Sequence, residues 1–129
     1  MREIALIATF GALGALARYG TNVLAARLLG DGFAFGTLAV NVVGCFLLGL
    51  VVAVANQQVP NHALWRAALG VGFLGALTTF STFGFETFVF LEKQRYALAA
   101  LNISANLLIG LLCVWAGMAL GRAISALVV

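Results

Sequence analysis

The sequence predicts an all-α membrane protein: four transmembrane helices, the third broken near its middle, assembled as an antiparallel dual-topology homodimer. Three observations carry that expectation. The apolar letters AVILMFWYC make up 64% of the 129 residues and Asp, Glu, Lys and Arg only 9%, against about 25% charged residues in an ordinary soluble domain. Short polar turns divide the apolar sequence into four stretches, each able to supply the roughly 20 residues of a bilayer span. The basic residues near the span ends divide evenly between the two sides. With fifteen Gly, one Pro and no low-complexity tract, the composition excludes disorder, collagen, a disulfide-rich secreted module and a conventional cytosolic enzyme.

The first span covers about residues 3–29. Its early part, Ile4 to Ala17, follows Arg2 as a signal-peptide core would, but apolar sequence resumes past Arg18 through Val23, Leu24 and Leu28. Gly30-Asp31-Gly32 then turns the chain. The second span, about 35–55, ends at Asn56-Gln57-Gln58, and Val59-Pro60-Asn61-His62 forms the next turn, with Pro60 just ahead of a new helix. The third, about 63–91, is closed by Glu92-Lys93-Gln94-Arg95, and the fourth runs over about 96–127. The whole chain, 1–129, reads as one domain.

The third span has a defect. Gly70, Gly72 and Gly75 precede Leu77-Thr78-Thr79-Phe80-Ser81-Thr82-Phe83-Gly84, a hydroxyl-rich, β-branched stretch that weakens a helix. Unwound backbone at membrane depth needs protein or a wet cavity around it. The stretch therefore reads as a break near 75–79 with exposed carbonyls, or as a continuous helix whose hydroxyls bond back to their own turn.

Four spans put both termini on one side. That side carries Arg2, Arg66 and Arg122, and the other carries Arg27, Lys93 and Arg95. Three against three gives the positive-inside rule nothing to act on, so the chain is expected to insert both ways and pair with its inverted copy. Gly11, Gly14, Gly44, Gly49 and Gly70 are small residues that let helices approach closely. The formal charge of +3 comes from scattered residues, with no patch for nucleic acid. Cys45 and Cys113 fall singly in apolar runs and read as packing residues.

Polar groups inside a membrane cost free energy and are functional candidates by default. Arg18 is a cation within a span, able to raise the potential for an anion or to snorkel to the interface. Asn41 offers two amide donors, as pore lining or as interhelical glue. Asn102 and Asn106 lie four apart on one helix face, with Ser81 and Thr82 able to face them. Glu86 is the one carboxylate well inside a span; it can relay protons, take a hydrogen bond from Thr37, or be held neutral. Phe80 and Phe83 sit beside the hydroxyls, and their ring edges are the positive part of the aromatic quadrupole. His62 stands alone in a turn, and no nucleophile–base pair or phosphate loop is present. An enzyme is not expected.

These residues resemble the Fluc (CrcB) family of fluoride ion channels across essentially the whole chain. The likeness rests on Gly11-x-x-Gly14-Ala15-x-x-Arg18-Tyr19, on Gly36-Thr37-Leu38-x-Val40-Asn41-x-x-Gly44, and on Gly72-Phe73-Leu74-Gly75-x-x-Thr78-Thr79-Phe80-Ser81-Thr82-Phe83 followed by Glu86. The resemblance implies an antiparallel homodimer with two fluoride pores. It implies a real helix break whose carbonyls, here those of Gly75 and Thr78, hold a structural sodium ion on the dimer axis. It implies Phe80 and Phe83 as pore aromatics, Asn41 as a pore donor, and Ser81, Thr82 and Asn106 along a polar track. Thr37, Glu86 and Asn102 would stand beside the pore and Arg18 near a vestibule. Two departures are visible: Ala76 stands where many members have Gly, and Asn102 where some have Tyr, which leaves the hydrogen bonding around Glu86 open.

The implied mechanism is passive. Hydrogen fluoride crosses membranes neutral and ionises inside, and a negative interior drives the anion out through a multi-pass protein of the cell membrane by about 2.3 kcal/mol per charge per 100 mV. Two other classes compete. A small multidrug-type proton-coupled cation exporter is also a four-span dual-topology dimer, but needs a carboxylate deep in its first helix, where this chain has Arg18. A non-transporting assembly factor would leave Asn41, Asn102 and Asn106 together unexplained.

Overall fold

The computed structural model describes residues 1–55 and 62–128. The polar stretch 56–58 and the turn expected at 59–61 lie outside the described residues. Four stretches, Arg2–Leu29, Phe35–Val54, Ala63–Glu92 and Tyr96–Leu127, are helical, long and apolar enough to cross a bilayer. Helix α1 is Arg2–Leu29 and α2 is Phe35–Ala55. The third stretch is two helices, α3 over 62–77 and α4 over Phe80–Glu92. Helix α5 runs over 96–128. His62 opens α3 instead of ending a turn.

Local chemistry sets the helix ends. Gly30, at φ 74°, ends α1, its N–H bonded to the Ala26 carbonyl. Helix α4 ends in a Schellman turn: Arg95 N–H reaches the Phe90 carbonyl at 2.8 Å and Gln94 N–H that of Leu91 at 2.9 Å. Gln94 takes the left-handed φ of 56° that this turn requires.

The expected break is real and two residues long. Thr78 and Thr79 are extended, with ψ of 155° and 118°. Thr79 then caps α4, its Oγ1 accepting from the Thr82 N–H at 3.2 Å. Two further irregularities have no clear trace in the sequence. Ala67–Leu74 within α3 and Ala105–Ile109 within α5 are π-helical, the wide-turn geometry that often accompanies functional sites. Within the α5 turn the Asn106 side chain donates to the Asn102 carbonyl at 2.9 Å.

The helices pack as two like-directed pairs. Along α2 and α5, Asn41 meets Asn106, Cys45 meets Gly110 and Gly49 meets Val114, all 65 residues apart. Along α1 and α3, Ile7 meets Gly72, Gly14 meets Phe73, and Arg18 reaches Thr78. Small residues permit both contacts: a Cβ on Gly14 would strike the Phe73 carbonyl, and one on Gly117 the Phe46 carbonyl. A small core of Val40, Leu74 and Leu77, walled by Ala17, Leu47, Val51 and Phe73, joins α1, α2 and α3. In the single chain Gly14 is the one fully buried residue of α1.

Candidate functional site

The site forms around the break. Gly44 has no side chain, so α2 lies against the Thr78 methyl group, and one turn earlier Asn41 reaches the interrupted backbone. Its Oδ1 accepts from the Thr79 N–H at 2.8 Å, and its Nδ2 donates to the Thr79 carbonyl at 3.2 Å. The same Nδ2 donates to Asn106 Oδ1 at 2.9 Å. Asn106 Nδ2 in turn donates to Asn102 Oδ1 at 3.1 Å, and Asn102 Nδ2 to Thr87 Oγ1 at 2.9 Å. The Thr87 hydroxyl ends this chain on the Phe83 carbonyl at 2.8 Å.

A cavity of about 300 Å³ opens beside the break. Asn41, Asn106, Phe80, Phe83, Gly75 and Thr78 line it, joined by Cys45 and by apolar residues of α3 and α5. Phe80 is 81% exposed, and its ring stands 5.6 Å from that of Phe83, tilted by 52°. Cys45, read from the sequence as packing, is half-buried and forms part of this wall.

The other candidates stand apart from that cavity. Ser81 and Thr82 are not among its lining residues, and they turn towards Thr79 instead of the fourth span: Thr79 Oγ1 donates to Thr82 Oγ1 at 2.9 Å and lies 3.4 Å from Ser81 Oγ. Asn102 is fully buried behind the cavity. Thr37 donates to Glu86 Oε1 at 2.8 Å, one turn further along α4 from Phe83. Glu86 Oε2 is buried without a hydrogen-bond partner among the described residues. Glu86 lines two smaller cavities, one shared with Lys93 and Arg95, the other with Asn22 and Thr37. The question left by Asn102 at its position is answered here: it bonds Thr87, and Glu86 takes its bond from Thr37.

Arg18 Nη1 lies 3.5 Å from the Thr78 carbonyl, at the limit of a hydrogen bond. That carbonyl and the Gly75 carbonyl have both lost their helical donors. An unbroken helix would pair Gly75 C=O with the Thr79 N–H and Thr78 C=O with the Thr82 N–H. Those two N–H groups go to Asn41 Oδ1 and Thr79 Oγ1. The break releases the Ala76 and Leu77 carbonyls in the same way, and such neutral oxygens suit a hard monovalent cation.

Sequence reasoning missed Thr79 and Thr87 as members of the site. Thr79 carried a signal, since a Thr three residues ahead of a polar N3 position is a capping pattern. Thr87 carried none beyond being a hydroxyl within a span.

The family model described as CrcB-like protein, Camphor Resistance (CrcB), matches residues 5–118. A relative from Dehalococcoides mccartyi is 47% identical over 121 residues, covering 94% of this chain and 93% of its own. One from Geobacter metallireducens is 46% identical over 122 residues, covering 95% and 98%, and one from Shewanella amazonensis 46% over 117, covering 91% and 94%. Each of the three is named fluoride-specific ion channel FluC.

Proposed function

The chain belongs to the CrcB-like protein family, and from that membership we propose that it is a fluoride-selective channel of the cell membrane. It exports cytoplasmic fluoride passively and lowers its toxicity; its activity is conduction, not catalysis. The observation that carries the reading beyond the relatives' names is the cavity beside the break, where two aromatic rings and two amide side chains meet. Fluoride holds its hydration shell tightly, so a pore must replace water with donors and ring edges step by step. Phe80 and Phe83 offer edges and so carry the anion without a full charge. The Asn41 hydrogens are engaged by Thr79 and Asn106; an anion is a stronger acceptor than either neutral oxygen and competes for them. Ser81 and Thr82 supply hydroxyls at the start of α4, Asn106 continues the track, and Thr37, Glu86 and Asn102 flank it.

The working unit is an antiparallel dual-topology homodimer. The even split of basic residues supports the inverted insertion. The bare flank of α1 and the open cavity support a second copy, because a single chain leaves Phe80 and its pore wall to lipid. A sodium ion on the dimer axis fits the released carbonyls of Gly75 and Thr78, doubled by the partner copy. When bound it neutralises backbone dipoles that the break leaves unpaired.

Fluoride efflux tests the proposal. Proteoliposomes loaded with potassium fluoride are triggered with valinomycin and read with a fluoride electrode, beside a chloride-loaded control. Rapid fluoride release with negligible chloride release is expected. No fluoride release from a folded dimer, or release that needs a proton gradient, would overturn it.

A further inference from the structure

We infer that Asn102 and Thr87 are positioning residues for the anion path: they hold the Asn106 amide in the orientation that matches Asn41, whose own amide the Thr79 backbone fixes. The inference rests on the channel reading above. Neither residue is among those that line the cavity; Asn102 is 0% exposed and Thr87 8%. Their influence travels through the polarity of hydrogen bonds.

The polarity can be followed from one end. The Thr87 hydroxyl gives its single hydrogen to the Phe83 carbonyl. Thr87 Oγ1 can then meet Asn102 only as an acceptor, so Asn102 turns its Nδ2 towards it. The Asn102 carboxamide oxygen is thereby left facing Asn106. That oxygen and the Asn102 main-chain carbonyl both demand donors, and Asn106 Nδ2 serves both. Asn106 Oδ1 is left as the atom facing Asn41, and it takes the Asn41 Nδ2 hydrogen.

The other end gives the same answer independently. Backbone cannot flip, and the Thr79 N–H and carbonyl require Asn41 Oδ1 and Nδ2 in the orientation observed. Flipping any amide in the series would set two acceptors or two donors face to face, and a buried polar group left unmatched is costly. The sign of the wall matters to an anion, because a reversed amide presents an oxygen where a hydrogen stood. Thr87, on α4, thus communicates with Asn41, on α2, through two residues of α5.

Three variants test this in the proteoliposome assay. Thr87→Val keeps the shape and removes the hydroxyl, Thr87→Ser keeps the hydroxyl, and Asn102→Leu breaks the next link. The expected result is a fluoride efflux about tenfold lower in Thr87→Val, the scale of one lost hydrogen bond, with rescue in Thr87→Ser and unchanged dimer assembly. Side-chain amide resonances of Asn41 and Asn106 in lipid should shift in Thr87→Val and hold in Thr87→Ser. Wild-type efflux and amide spectra in Thr87→Val would overturn the inference, as would equal losses in the Val and Ser variants. If Thr87→Val does not assemble, Asn102→Leu is read by the same criteria, and failure of both to assemble makes the pair folding determinants and overturns it. A silent wild type defeats the channel reading instead, and the amide spectra still decide this one.

Discussion

The carboxamide of Asn41 pairs with both backbone groups of Thr79, taking its N–H at 2.8 Å and giving to its carbonyl at 3.2 Å. A side chain of the second span thus serves the backbone that the third span interrupts. Replacing it with leucine leaves two buried backbone groups unmatched, each costing about 1–3 kcal/mol. Asn41→Leu should lower the thermal unfolding midpoint in detergent and abolish fluoride efflux. A midpoint equal to wild type would show that the pairing does not hold the break.

Phe80 and Phe83 make a separable prediction, because their rings line the cavity and take no part in its hydrogen bonds. Phe80→Ile and Phe83→Ile keep apolar bulk but remove the ring edge. Each should eliminate fluoride efflux while the protein still elutes as a dimer on size exclusion. Full flux in both would remove the aromatics from the mechanism.

Packing between α2 and α5 depends on absent side chains. A Cβ on Gly117 would strike the Phe46 carbonyl, whereas one on Gly20 meets open space. Gly117→Ala should destabilise by about 1–3 kcal/mol as an overpacked contact. Gly20→Ala should be neutral or stabilise by up to about 1 kcal/mol as a helix-interior exchange. Paired thermal melts check both, and a Gly117→Ala protein as stable as wild type would contradict the close approach.

Sodium dependence follows from the released Gly75 and Thr78 carbonyls. Purification and assay with N-methylglucamine in place of sodium should reduce both dimer stability and fluoride efflux, restored on adding sodium back. Indifference to sodium in both measurements would leave the two carbonyls without that role.

Much of this was legible in the sequence because it is local. Four apolar runs between polar turns specify spans, and the Thr-Thr-Phe-Ser-Thr run weakens a helix, which breaks at its first two residues. Phe80, Phe83, Asn41 and Asn106 line one cavity. Partner choice was legible for Thr37 and Glu86 but not for the hydroxyls of α4. Ser81 and Thr82 stood ready to face the fourth span by spacing alone, yet Thr79 engages both, and Thr87, five residues further along, meets Asn102. Hydroxyls on successive turns of a helix look alike in sequence; the neighbouring helix chooses among them. The π-helical turn at Ala105–Ile109 has no signature in the composition of its span.

The two-residue gap at Thr78–Thr79 also has an electrical meaning. It ends one helix and starts another in the middle of the span. Aligned peptide dipoles amount to about half a negative charge at a helix C-terminus and half a positive charge at an N-terminus. Leu77 therefore marks a negative pole and Phe80 a positive one, a few residues apart in the middle of the span. The same gap favours a cation at the carbonyls of α3, where Arg18 already lies 3.5 Å from Thr78, and an anion at the first turn of α4, so a single interruption supplies both signs of field.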